Sequence, residues 1–356
     1  MSAAPTDQPS SSSSFAQASP MPLAAPDTSA VPAPRVLSSA IARLPGYWSA
    51  SVSAFAERRN AGPLCGASRK TRMTQTRNDT AATAGRQRVM FARLNHIAIT
   101  TDHYAINAKF YEALFGLRTA SKPRPARACV VSDGAVGMNI IPRREGRTSG
   151  LDHFGLEVED VELARERISR FDPSIRLLKR PPVRPFAAFS AHDPDINIFD
   201  LSARNLKMQK DVYADDLDRT ERKFSHFALR TRNAERCAEF YHEVFELSPL
   251  NRKAGDPNHY LSDGNMTLAI LQWNIDDYAG MDPQRTGPDH IGFTVESIEK
   301  VKEDLEDLTG QNPHLHSRPL GYGDEGKARL ELFKRCPLGH YHLTDIEGTY
   351  IDLAEG

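Results

Sequence analysis

Four histidines stand at matched places in short segments that read as β-strands. Phe224-Ser-His-Phe-Ala-Leu-Arg-Thr231 and Pro288-Asp-His-Ile-Gly-Phe-Thr-Val295 alternate with period two, and turn-forming or polar neighbours bound them. His226 and His290 lie opposite the bulky Phe227/Leu229 and Ile291/Phe293, and the next residue on their own face is Ala228 or Gly292. A small neighbour leaves room beside an imidazole, as a binding site needs and a packed core does not. Phe91–Thr100 and Leu151–Val158 repeat the pattern: His96 shares a face with Leu94 and Ala98, and His153 shares one with Gly155. A single strand histidine is more often a hydrogen-bonded core or surface residue than a ligand, so the repetition carries the argument.

The elements between them repeat as well. Ile106, Phe110/Tyr111 and Leu114 recur at helical spacing, and Gly116 can stop that helix. Strands are expected near 128–132 and 136–141, then a second helix over Val161–Arg170, and strands near 187–190 and 197–202. His96 and His226 are 130 positions apart, as are Tyr111 and Tyr241, and Ser132-Asp-Gly and Ser262-Asp-Gly. After loop insertions His153 matches His290 and Asp200 matches Asp352. One offset shared by a strand, a helix and a turn marks a duplication. Each half then holds two β-α-β-β-β units, four in all, and the class is α+β. We place the domains at 91–203 and 223–356, with the charged stretch 204–222 as a linker.

Composition excludes several classes. The 356 residues are 40% hydrophobic with a net charge of −1, which suits a globular protein without a nucleic-acid partner. No apolar run approaches the roughly 18–20 residues of a membrane span. Four scattered cysteines argue against a disulfide framework or a cysteine-based zinc site and suit a reducing, cytoplasmic compartment. Residues 1–90 differ, with 10 Lys/Arg against 4 Asp/Glu and a Ser/Ala/Pro-rich start. Disorder is expected there. An organellar leader, or a true start at Met73 or Met90, are the other readings.

From 91 to 355 the pattern resembles the vicinal oxygen chelate superfamily, which includes glyoxalase I, bleomycin-resistance proteins, methylmalonyl-CoA epimerase and extradiol dioxygenases. The resemblance implies two tandem domains, each a curved mixed sheet forming a cup with helices outside and a divalent metal within. It implies metal ligands His226, His290 and Asp352, and as a second set His96, His153 and Asp200. The remaining ligand slot holds Ala269 in one half and Asn139 in the other. Two imidazoles and one carboxylate suit Fe(II) oxygen chemistry; Mn(II), Ni(II), Co(II) or Zn(II) would suit a lyase or isomerase. The expected activity is ring cleavage of a catechol-like aromatic by an extradiol-type dioxygenase, with O2 and the small molecule as partners. The alternatives are a glyoxalase- or epimerase-type enzyme and a non-catalytic binding protein. A homo-oligomer is expected.

The chain departs from the family in three ways. The carboxylates are Asp rather than Glu, His342 stands in the slot of the closing motif's Tyr, and the family's acid–base histidine has no clear match. His342, His259 and Tyr260 are the candidates for proton transfer. Gly321-Tyr-Gly-Asp-Glu-Gly326 formally matches GxGxxG but follows no strand, so it is expected to be a loop over the cup mouth.

Overall fold

The computed structural model describes residues 89–119, 128–181, 187–203, 219–274 and 286–356. The expectations for the N-terminal extension up to residue 88, and for 204–218 of the linker, fall outside them. Four units follow one another. The first is β1 (Ala92–Thr101), α1 (Tyr104–Phe115), β2 (Arg118–Thr119), β3 (Cys129–Ser132) and β4 (Gly137–Pro142). The second is β5 (Gly150–Val158), α2 (Val161–Phe171), β6 (Leu178–Lys179), β7 (Phe189–His192) and β8 (Ile198–Ala203). The third is β9 (Lys223–Thr231), α3 (Ala234–Phe245), β10 (Ser248–Pro249), β11 (His259–Ser262) and β12 (Thr267–Gln272). The fourth is β13 (Gly287–Val295), α4 (Ile298–Gln311), α5 (Gly323–Phe333), β14 (Tyr341–Thr344) and β15 (Tyr350–Glu355). Where the other units have a two-residue strand after their helix, the fourth has α5.

Two mixed sheets result, ordered β2-β3-β4-β1-β5-β8-β7-β6 and β10-β11-β12-β9-β13-β15-β14. In each, the histidine-bearing strands pair antiparallel at the centre, and each pairs on its other side with a parallel strand. Local chemistry sets the helix ends. Asp160, Asn233 and Ser297 accept backbone N–H bonds at the starts of α2, α3 and α4. Gly116 ends α1 in the left-handed conformation, φ 67°.

The apolar faces of both sheets share one core. Phe115 stacks on Phe293 at 4.0 Å, and Phe154 lies 5.1 Å from Phe227. Hairpin-turn aspartates fasten the halves reciprocally. Asp133 accepts from the backbone N–H of Phe224 at 3.1 Å, and Asp263 from that of Leu94 at 2.7 Å. Tyr111 donates to Asp345 at 3.2 Å and Tyr241 to Asp193 at 3.3 Å. At the described end of the linker, Arg222 reaches Glu296, Asp304 and the Leu114 carbonyl.

Two local expectations are corrected. Leu94 does not share the face of His96; it is buried in the common core, because the ladder slips by one residue between them. Residues 321–326 are not a free loop: from Gly323 they form the first turn of α5.

Candidate metal centre

The slip at Leu94 is one of four. The ladder steps directly from Leu94 to His96, from Leu151 to His153, from Phe224 to His226 and from Pro288 to His290. In each strand the residue just before the histidine is therefore an extra, bulged residue. Its side chain then reaches the imidazole it precedes: Asn95 to His96 Nδ1 at 2.8 Å, Asp152 to His153 Nδ1 at 2.7 Å, Ser225 to His226 Nδ1 at 3.1 Å, Asp289 to His290 Nδ1 at 2.6 Å. A regular strand would send neighbouring side chains to opposite faces. With Nδ1 engaged, Nε2 is left to face the cup. The glycines opposite complete the fit: a Cβ on Gly292 would lie 2.0 Å from the His226 ring, and one on Gly155 would lie 1.9 Å from that of His96.

In the C-terminal cup, register brings β15 beside β13 with Asp352 against Gly292, which in turn faces His226. Ligand atoms of His226, His290, Asp352 and Cys336 all lie within 4.8 Å of one another, and every one of these residues is buried. His226 Nε2 is 3.6 Å from one Asp352 oxygen, and His342 Nε2 is 3.6 Å from the other. None of His226 Nε2, His290 Nε2, His342 Nε2 or either Asp352 oxygen has a well-formed hydrogen bond among the described residues. Burial pushes the Asp352 carboxyl up to about 8, against the pull of the Leu353 and Gly339 amides. Burial, then repulsion from His290, holds His226 well below the usual imidazole range. Burial also lowers His290, although Asp289 opposes it, and takes His342 down to about 4. Buried polar atoms that converge without a well-formed hydrogen bond are costly alone and fit a divalent cation.

The N-terminal cup has the same three residue types and the opposite electrostatics. His153 Nε2 lies 3.2 Å from Asp200, His96 Nε2 lies 3.9 Å from it, and Ser190 donates to its other oxygen. Burial would lower His153, yet its bonds to Asp152 and Asp200 raise it to about 9. Burial would raise Asp200, but the bond to and charge of His153 hold it well below the usual carboxylate range. Within this cluster His153 and Asp200 neutralise each other as an ion pair. Pairing shows the difference: Ser190 faces Asp200 where His342 faces Asp352.

The other candidates separate by face. Tyr260, Ala269, Ala228 and His290 form one row across the sheet, so Tyr260 lines the cup, its hydroxyl donating to Asp256 at 3.0 Å. His259 points to the other side of β11, where burial lowers it and Glu235 and Glu239 of α3 act on it; it is not brought to the cluster. Ala269 supplies no donor from the fourth ligand slot. Sequence reasoning missed Cys336, which follows α5 and has no counterpart among the described residues of the other half, and it missed Asp289. The repeated Asp-His pair at 152–153 and 289–290 was a signal for the latter.

A family model described as the Glyoxalase/Bleomycin resistance protein/Dioxygenase superfamily matches residues 93–201 and 223–330. The chain belongs to that superfamily. The second match stops inside α5, where the fourth unit leaves the common pattern. A comparison with proteins of curated function found no match. Among solved structures the chain is similar to a Mn(II)-bound glyoxalase from Novosphingobium aromaticivorans, at 15% identity and TM-score 0.51, over 74% of this chain and 83% of that one. It is also similar to a halotolerant catechol dioxygenase, at 13% identity and TM-score 0.49, over 75% and 87%. A third is a xylose isomerase-like TIM barrel/4-hydroxyphenylpyruvate dioxygenase fusion protein, at 14% identity and TM-score 0.47; 74% of this chain is covered, spanning about half of that protein's length (49%). At these identities the likeness concerns the fold.

Proposed function

We propose that the C-terminal cup binds one divalent metal ion through His226, His290 and Asp352 and acts on a small molecule carrying two adjacent oxygens. The observation that supports this is the set of buried atoms that converge there without a well-formed hydrogen bond, against the self-neutralised His153–Asp200 pair in the N-terminal cup. The ion, most simply Fe(II), would supply Lewis acidity and a meeting point for substrate and O2 in an extradiol-type ring cleavage. The chain's own part is to orient and to move protons. Asp289 and Ser225 hold the two imidazoles by Nδ1. His342 is neutral near pH 7 and half-buried beside Asp352, so its Nε2 can take a proton from a substrate hydroxyl and return it later. Phe333, 4.6 Å from the His290 ring and 4.4 Å from that of His342, keeps water away.

Ala269 favours this reading over a lyase or isomerase, since it leaves no carboxylate base at that position. The test loads metal-free protein anaerobically with Fe(II), confirms one equivalent bound, and follows oxygen uptake with a catechol panel. Uptake that disappears in His226→Ala and falls about 10²–10⁴-fold in His342→Ala, the usual worth of a general acid–base, is the expected result. Turnover of a vicinal-oxygen substrate without O2, with Mn(II), Ni(II), Co(II) or Zn(II), would assign the lyase or isomerase reading instead.

A further inference from the structure

We infer that Cys336 is a fourth protein ligand of the C-terminal metal centre, carried into the cup by α5, a helix that among the described residues appears in the fourth unit alone. The inference rests on the metal-binding reading above. Cys336 is held in place: its backbone N–H bonds the Phe333 carbonyl at 3.2 Å, and Arg335 bonds that of Leu332 at 3.1 Å, so two turns follow α5 directly. The helix is anchored one turn earlier, where Arg329 meets Asp289 at 2.6 Å. Phe333, the last residue of α5, packs 4.6 Å from the His290 ring and 4.4 Å from that of His342.

A buried cysteine is usually a small hydrophobe, and Cys336 does touch an apolar lining that includes Tyr260, Ala269 and Trp273. Three observations assign its sulfur a further role. It lies within 4.8 Å of the His226, His290 and Asp352 ligand atoms, themselves buried and without a well-formed hydrogen bond. The Leu338 backbone N–H donates to it, opposing the burial and the neighbouring carboxylates that push the metal-free thiol well up, so the proton would leave only as a cation binds. Ala269 leaves one side of the cup without a donor, and the sulfur approaches from another segment instead. Charge adds a reason: a buried divalent cation beside one carboxylate keeps a net positive charge, which a thiolate removes. The donor set becomes softer, favouring Zn(II) or Co(II) over Mn(II).

The full chain, stripped of metal and loaded anaerobically with Co(II), provides the test. One equivalent should bind, with a near-ultraviolet thiolate-to-cobalt absorption band that is lost in both Cys336→Ser and His226→Ala. Cys336→Ser should still bind one equivalent, with affinity lowered by at least the roughly tenfold that loss of an outer partner costs. One bound equivalent without the band, or a Cys336→Ser spectrum identical to the parent, overturns the inference and leaves the three-residue site standing. No cobalt bound by the parent overturns both. Should Cys336→Ser fail to fold, the parent band and its loss in His226→Ala still decide.

Discussion

Asp200 and Asp352 occupy equivalent strand positions, yet one is ionised inside a salt bridge and the other is held as the acid by burial. This has a signed consequence for metal-free protein. Asp352 binds its proton more tightly folded, near 8, than unfolded, near 3.8. Its contribution is therefore intact below about pH 4 and is lost as pH rises toward 8. His153, raised to about 9, adds a loss of the same sense from about 6.5 upward. His342, lowered to about 4, acts the other way, costing stability as pH falls below 6.5. Denaturant titrations of the chelator-treated protein should show Asp352→Asn becoming relatively more stable from pH 4 to 8, with the His153 slope left in place. Metal affinity of the parent should rise over the same range, because ligands must shed their protons. If Asp352→Asn runs parallel to the parent at all pH values, the carboxyl is not the buried acid described here.

At the scale of elements, the bulged strands and their glycines set the imidazoles. Gly292→Ala should cost about 1–3 kcal/mol through overpacking and should abolish the rise in Tm that added metal gives. Gly155→Ala meets the same close contact on His96 and should cost a similar amount while leaving the metal-dependent rise intact. Thermal melts with and without metal separate the two. Strand and helix positions were legible in the sequence because period-two and 3.6-residue patterns are strong over eight to twelve residues and because the 130-residue offset repeats them. The bulges were not: counting by twos assumes no extra residue, so Leu94 was grouped with His96 although the slip turns it into the core. His226, His290 and Asp352 could be matched through the repeat, whereas Phe333 ends α5 and Cys336 follows it, and α5 has no counterpart among the described residues of the other units. Alternation alone was enough to separate Tyr260 from His259, but which of the two faced the cup needed the ladder.

For the whole molecule, the two halves are structurally one body. Their apolar faces meet, and four hairpin aspartates cross between them, with Asp345 and Asp193 buried and pushed up by that burial. The N-terminal cup thus supports the other half even with its own histidines engaged. Covalent continuity between residues 203 and 219 should accordingly be dispensable once folding is complete. A chain with a protease site inserted between 204 and 218, cut after purification, should elute as a single particle and keep its bound metal, whereas each fragment expressed alone should aggregate through the phenylalanines it leaves bare.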